Sequence, residues 1–311
     1  VSFLTLMTLV FLVFFLVASF LVVRPWREIG HLSRREWVVL GVILLVGLCF
    51  RIQQSRDFFI FHDEESYLHQ AQMIASGQGL GNCEWGYWEN QRTHCPENQS
   101  EMPSKKEGYP FLLAIFLMIS REFSKWPSII NIVLGTLTVG LVFLLAQAWR
   151  STSAGWAAAT FLALLPEHIK WSATVSLEVP ALFFIMLGLL MCAFFEKNKK
   201  YSFLLLALAI FNYLAMIRPE LILLLFLILA WQAPHLRNLV IKRGWLRWAT
   251  LALSLVTVWN ITLSILAQGR YQSLAGYYKI PGIYSWQFFK ENFPSIFMYY
   301  ADGHNYIVWI L

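Results

Sequence analysis

The chain has 311 residues and a net charge of +6, with 58% hydrophobic and 14% charged residues. Soluble domains carry roughly 45–50% apolar and about 25% charged residues. The composition therefore excludes a disordered, collagenous or coiled-coil protein, and the apolar blocks are too long for the core of an ordinary soluble enzyme. Four cysteines are too few for a disulfide framework.

Long apolar segments predict a series of transmembrane helices, since a helix needs about 20 apolar residues to cross a bilayer. In chain order they are residues 3–23, 37–50, 127–149, 154–169, 179–195, 201–217, 221–231 and 248–268. The run 109–120 is predicted to be a short helix at the membrane interface, because twelve residues rise only about 18 Å. The pattern predicts an all-α polytopic membrane protein with about eight transmembrane helices and the start of a ninth at residues 306–311.

The basic residues of the short loops predict the orientation of these helices. With eight crossings, segments 24–36, 150–153, 196–200 and 233–247 fall on one side and hold twelve Lys and Arg against three Glu. The positive-inside rule makes this side cytoplasmic. Orientation and contact with anionic lipid head groups account for the basic runs, so no nucleic-acid partner is expected. The extracytoplasmic side receives fifteen of the eighteen Asp and Glu.

The first group of candidate residues lies in the predicted outer loop 51–126. Asp63 and Glu64 precede a stretch in which Tyr67, Ala71 and Ile74 share a helix face. In a purely structural interpretation, Asp63 caps the helix and Glu64 lies at the positive end of its dipole. In a functional interpretation, a carboxylate at the membrane surface acts as a general base.

Three further groups on the predicted outer side have similar alternatives. Lys105 and Lys106 suit a phosphate or lipid head groups. Glu178, with Pro180 in the same helical turn, is a helix-start acid or a catalytic carboxylate. Arg218, between two spans, either extends to the interface or holds an anionic ligand. Together these groups offer carboxylates to activate a hydroxyl or amine, and cations to hold a phosphate leaving group.

Several short motifs carry a resemblance to a known family: Asp63-Glu64 with Tyr67 and Ala71, Lys105 with Gly108-Tyr109-Pro110, Leu164-Leu165-Pro166 through Ser172 to Glu178 and Phe183-Phe184, and Arg218-Pro219-Glu220. The layout from Trp37 to Trp231 resembles the membrane glycosyltransferases of the GT-C superfold. It is most similar to the branch of the lipid A aminoarabinose transferases and protein O-mannosyltransferases. Two departures are Lys106-Glu107, where the family commonly has Pro-Pro, and glutamate in place of aspartate at position 178.

The resemblance implies a glycosyltransferase that moves a sugar from a polyprenyl-phosphate donor to a lipid, glycan or protein acceptor. It implies inversion at the anomeric carbon on the extracytoplasmic face of a plasma or inner membrane. The implied roles are catalytic for Asp63, Glu64 and Glu178, donor-phosphate binding for Lys105, Lys106 and Arg218, and supporting for Tyr67, Tyr109, His168 and Glu220. A divalent metal ion is left open: some family members use one, and Asp63, Glu64, Glu178 and His168 offer suitable ligands.

The predicted domain organisation is an extra N-terminal helix with its cytoplasmic loop, residues 1–36, followed by a GT-C-like domain, residues 37–311. The valine start and the interrupted last apolar run predict that the sequence is a fragment, truncated at the C-terminus. Cys83 and Cys95 in the outer loop are either a disulfide or two free thiols. The alternative function is a transporter or flippase for an anionic or lipid-linked substrate, but the ionisable residues gather at one membrane edge rather than at mid-membrane.

Overall fold

The computed structural model describes residues 33–55, 62–77, 108–119, 128–218 and 221–241. All of them belong to the same compact unit of the chain. The regular structure in these ranges is helical: α1 (Arg34–Gln54), α2 (His62–Ala75), α3 (Gly108–Ile119), α4 (Ile129–Trp149), α5 (Thr152–Leu164), α6 (Pro166–Ser172), α7 (Glu178–Asn198), α8 (Tyr201–Ile217) and α9 (Ile222–Ile241).

Three of these helices are long and apolar enough to cross a membrane. They are α1, α4 and α7, with 21 residues each. Each rises about 32 Å, which matches the hydrocarbon core of about 30 Å. Shorter apolar helices are α3, α5, α8 and the first part of α9. The prediction of an all-α polytopic membrane protein is confirmed, while the predicted spans 3–23 and 248–268 and the start of the ninth lie outside the described residues.

Helix α8 lies at the centre of the described part, with all of residues 203–217 buried. It packs against α7, α9 and α3. A helix that is hydrophobic on every side is stable only where neighbours surround it, and this sequence has Leu, Ala, Ile and Phe on all faces. The C-terminal end of this central helix brings Arg218 to the region where α3 and α7 begin.

Helices α1, α4 and α5 form a second, smaller packing unit. Helix α1 begins with a capping box: the Ser33 amide donates to Glu36 Oε2 at 2.7 Å, and the Glu36 amide donates to Ser33 Oγ at 3.3 Å. The buried core of this unit consists of Leu40, Val139, Phe143, Ala159 and Ala163. Large apolar side chains of α1 remain exposed on its other faces, as expected of a helix in contact with lipid.

The predicted span 154–169 is two helices, with a break at Leu165. Leu165 has extended backbone (φ −65°, ψ 112°) and Pro166 is the first residue of α6. Proline has no amide hydrogen and disfavours the helical conformation of the residue before it. The break ends α5 after thirteen residues and starts the short helix α6, which leads into the loop 173–177 before α7.

The two short helices α2 and α3 pack against each other, and α3 also packs against α8. Tyr67 and Ala71 are buried in the main core, and Ile74 packs against it, so the predicted face of α2 is confirmed. Helix α3 is the predicted short helix, twelve residues long. A Cβ on Gly108 would lie 2.7 Å from the Ile217 amide nitrogen, so the start of α3 touches the backbone at the end of α8.

Candidate active site

Glu64 is a buried structural contact rather than a solvated helix-start acid. Helix α2 begins at His62, so Asp63 lies in its first turn and not at the capping position before it. The Asp63 side chain is outside the described part of the structure. Glu64 is 3% exposed, and its Oε2 accepts a hydrogen bond from the Val175 amide at 3.0 Å. The carboxylate next to Asp63 therefore joins α2 to the loop 173–177.

Asn131, in the first turn of α4, holds the same loop. Its side chain is fully buried. The Nδ2 group donates to the carbonyls of Thr174 and Ser176, both at 2.7 Å, and Oδ1 accepts from the Tyr109 hydroxyl at 3.1 Å. One amide thus uses both of its donors on the loop and its acceptor on α3. Asn131 was not among the predicted site residues, although a polar residue inside an apolar span is a signal for such a role.

Aromatic side chains in contact with one another connect α2, α3 and α8. The rings of Tyr67 and Tyr109 meet edge to face, with centroids 5.3 Å apart. The Tyr213 hydroxyl donates to the Gly108 carbonyl at 2.9 Å, and its ring packs at 5.0 Å against Phe184. The two predicted supporting tyrosines therefore lie together. Tyr213 was not predicted, because it follows an apolar run with no distinguishing local pattern.

Glu178 and Arg218, predicted from separate motifs, form an ion pair. Helix α7 begins at Glu178 and Arg218 caps the end of α8. Glu178 Oε1 lies 3.6 Å from Arg218 Nη2, and the two side chains are 39% and 37% exposed. Arg218 Nε is buried and has no hydrogen-bond partner among the residues that the structure describes. Exposed ion pairs contribute about 0–1 kcal/mol, so Arg218 can exchange this contact for another anion at little cost.

His168 contacts α1 through the Arg51 side chain. His168 Nδ1 lies 2.6 Å from Arg51 Nη2. Because a guanidinium can only donate, Nδ1 accepts and the imidazole is neutral, with its proton on Nε2. Burial, together with the nearby Arg51 charge, lowers the pKa of His168 to about 4.

The described residues do not assemble the metal site that the resemblance left open. No group of three His, Cys, Asp or Glu side chains comes together within the described ranges. Glu64 accepts from a backbone amide, Glu178 pairs with Arg218, and His168 Nδ1 faces a cation. Each of these three side chains thus has a different contact within the described residues.

Five predicted residues lie outside the described residues: Lys105, Lys106, Glu220, Cys83 and Cys95. Phosphate binding by the two lysines, the supporting role of Glu220 and the pairing of the two cysteines stay predictions. The division of the chain at residue 36 is also untested.

The segment 107–261, close to half of the chain, matches the family described as dolichyl-phosphate-mannose-protein mannosyltransferase. It includes Tyr109, Asn131, Glu178 and Arg218, whereas Asp63 precedes it. No curated protein and no solved structure matches the chain significantly. The resemblance drawn from the sequence is confirmed, because this match supports a membrane glycosyltransferase of the GT-C type.

Proposed function

We propose that this protein transfers a sugar from a polyprenyl-phosphate donor to a lipid, glycan or protein acceptor at the extracytoplasmic face, with inversion. The observation that carries the proposal is the family match over residues 107–261. At a coarse level this match indicates a glycosyltransferase that uses polyprenyl-phosphate sugars. Mannose is the sugar in the family's description, and it is the first donor to test.

Arg218 is the proposed contact for the donor phosphate. The leaving phosphate gains negative charge as the bond between the anomeric carbon and the phosphate oxygen breaks. A guanidinium offers donors in a planar fork that matches phosphate geometry. The long 3.6 Å contact with Glu178 and the unpartnered Nε within the described region support an exchange of Glu178 for phosphate when the donor binds. Lys105 and Lys106 are proposed to add positive charge.

Asp63 is the proposed general base on the acceptor side. It would take the proton of the acceptor hydroxyl or amine while that atom forms its bond to the anomeric carbon. A single displacement of this kind inverts the anomeric configuration. Glu64 supports the proposal indirectly, because its hydrogen bond to the Val175 amide fixes the turn of α2 that carries Asp63. Holding a catalytic group in the right geometry lowers the barrier of the step that it assists.

The test uses the protein purified with any sequence that flanks these 311 residues in its reading frame, reconstituted in liposomes. Labelled polyprenyl-phosphate sugars, mannose first, are supplied with extracted envelope acceptors. The wild type is compared with Asp63→Asn and with the matched control Glu65→Gln, which removes a charge from the same helix. We expect donor-dependent transfer that Asp63→Asn abolishes and Glu65→Gln retains. A folded wild type that neither binds nor uses any donor would contradict the proposal and favour a transporter.

A further inference from the structure

A second buried polar group, the Arg51 cluster, joins the end of α1 to α6. It consists of Arg51, His168, Ser172 and the carbonyl of Gly47. The Arg51 side chain is fully buried: Nη1 donates to Gly47 O at 2.6 Å, Nη2 to His168 Nδ1 at 2.6 Å, and Nε to Ser172 Oγ at 3.3 Å. The Ser172 hydroxyl in turn donates to the His168 carbonyl at 2.6 Å.

The composition of the Arg51 cluster is unusual for a purely structural contact. No carboxylate pairs with Arg51 in the part of the chain that the structure describes. A buried cation without a counter-ion is costly, and a leucine or methionine would fill the same space without that cost. The guanidinium instead donates hydrogen bonds to one neutral imidazole, one hydroxyl and one carbonyl. Such a fork fixes the position and the direction of what it holds.

The Arg51 cluster ends where the loop 173–177 begins. Ser172 is the last residue of α6, and Gly135 of α4 packs so tightly against its hydroxyl that a Cβ there would overlap it. Asn131, one helical turn before Gly135 and therefore on the same face of α4, holds the carbonyls of Thr174 and Ser176. The loop is thus held at its entrance by Arg51 and along its length by Asn131.

The amide of Val175 lies between those two carbonyls and donates to Glu64. A continuous chain of contacts therefore runs from the Arg51 guanidinium to the carboxylate beside Asp63. We propose that Arg51 is a positioning residue, which fixes the loop 173–177 and, through it, the Glu64 carboxylate next to the proposed base. This inference rests on the proposed function, because it gives Asp63 the catalytic role.

Arg51 acts through these neighbours and not by touching a substrate. Its side chain has no exposed surface, and each of its three nitrogen atoms already has a protein acceptor. Loss of the fork should therefore leave donor binding intact while loosening the loop. It should also weaken the hydrogen bond from Val175 to Glu64.

The test compares Arg51→Gln, Arg51→Lys and Ser172→Ala with the wild type in liposomes or nanodiscs. The matched control is Thr138→Val, because the buried Thr138 hydroxyl donates to the Leu134 carbonyl of its own helix. Hydrogen exchange of the peptide that covers residues 173–177 reports the loop directly and needs no substrate. Steady-state kinetics, with kcat and the donor KM measured separately, report the site.

For Arg51→Gln we expect exchange in the loop to rise by about tenfold, with α8 still protected. We expect kcat to fall by roughly ten- to hundredfold, while the donor KM stays within about twofold. Arg51→Lys and Ser172→Ala should show smaller changes in the same direction, and they keep the test decisive if Arg51→Gln does not fold.

Three results would overturn the inference: unchanged loop exchange in these variants, exchange that rises equally in α8, or a kcat that stays equal to that of the Thr138→Val control. Failure of the proposed function is recognised separately, because it shows as no transfer by the wild type. In that case the proposed effect of Arg51 on catalysis is rejected as well, whatever the hydrogen exchange of the loop shows.

Discussion

Two neighbouring acids at the start of α2 divide two tasks between them. Glu64 is buried and accepts the Val175 amide, which leaves Asp63 as the proposed base. A buried amide that loses its acceptor costs about 1–3 kcal/mol. Substitutions of Glu64 and of Asp63 are therefore expected to have different effects.

Glu64→Ala should lower the free energy of unfolding by about 1–3 kcal/mol, because it leaves the Val175 amide without this acceptor. Glu64→Gln keeps a carbonyl oxygen at the same place and should lower it less. Thermal unfolding in detergent measures both. Equal stability of Glu64→Ala and wild type would show that the Val175 contact contributes nothing.

Arg218 is expected to act on the donor and not on stability. Arg218→Gln should raise the donor KM about tenfold or more, because a charge-assisted contact to phosphate is lost. Arg218→Lys should recover part of the loss, since an ammonium keeps the charge without the fork. Glu178→Gln should change unfolding by less than about 1 kcal/mol, as an exposed pair does. An unchanged donor KM in Arg218→Gln would remove Arg218 from the donor site.

His168 predicts a pH dependence of stability. Above the ordinary pKa of about 6.5 the imidazole is neutral in both states and contributes nothing. As the pH falls from there towards 4, the unfolded chain binds a proton that the folded protein, with a His168 pKa of about 4, does not. Stability should therefore fall by up to about 3 kcal/mol across this window.

The variant that checks this assignment is His168→Asn, which keeps an acceptor for Arg51 but does not titrate. Unfolding temperatures at a series of pH values between 6.5 and 4 should decline less steeply for His168→Asn than for the wild type. Parallel slopes would mean that another group carries the dependence.

At the scale of the elements, the loop 173–177 organises the site. It receives contacts from α2 through Glu64 and from α4 through Asn131. The break at Pro166 makes this possible, because α6 leaves the direction of α5 and brings Ser172 against α4. The long helices α1, α4 and α7 were predictable, since an apolar stretch of that length indicates a span.

The contacts between helices were not predictable in the same way. The bond from Arg51 to Ser172 joins residues 121 positions apart, and the bond from Val175 to Glu64 joins residues 111 apart. No local pattern reports such a pairing. The face of α2 with Tyr67 and Ala71 was predictable because helical spacing is local. Asp63 and Glu64 were selected as one motif, and only the burial of Glu64 separates their roles.

The packing of α6 on α4 predicts opposite effects for two glycines of one helix. Gly135→Ala should destabilise the protein by about 1–3 kcal/mol, because the added Cβ overlaps the Ser172 hydroxyl. Gly140→Ala is the control: among the described residues its Cβ would meet only Leu44 Cδ2, at 3.9 Å. It should be neutral or stabilise by up to about 1 kcal/mol, since alanine favours a helix. Similar unfolding curves for the two variants would contradict the described packing.

At the scale of the whole molecule, the contacts agree with the predicted topology. The helix ends that the basic loops assign to the extracytoplasmic side are the end of α1 and of α8 and the start of α4 and of α7. These ends carry Arg51, Arg218, Asn131 and Glu178. Arg51 contacts Ser172 beside the loop 173–177, and Asn131 contacts that loop and Tyr109 of α3. Glu178 pairs with Arg218. The loop charges and the packing are independent observations. The packing places these ends on one side of the helices, and the assignment of that side as extracytoplasmic stays a prediction from the basic loops.

The most direct test of the account is sugar transfer by oriented proteoliposomes that hold the donor in one leaflet. The wild type should label its acceptor only when the polyprenyl-phosphate sugar and the acceptor are on the side of Asp63 and Arg218, and Asp63→Asn should be inactive though folded. Transfer that survives in Asp63→Asn, or that requires donor on the side of the basic loops, would contradict the central claim.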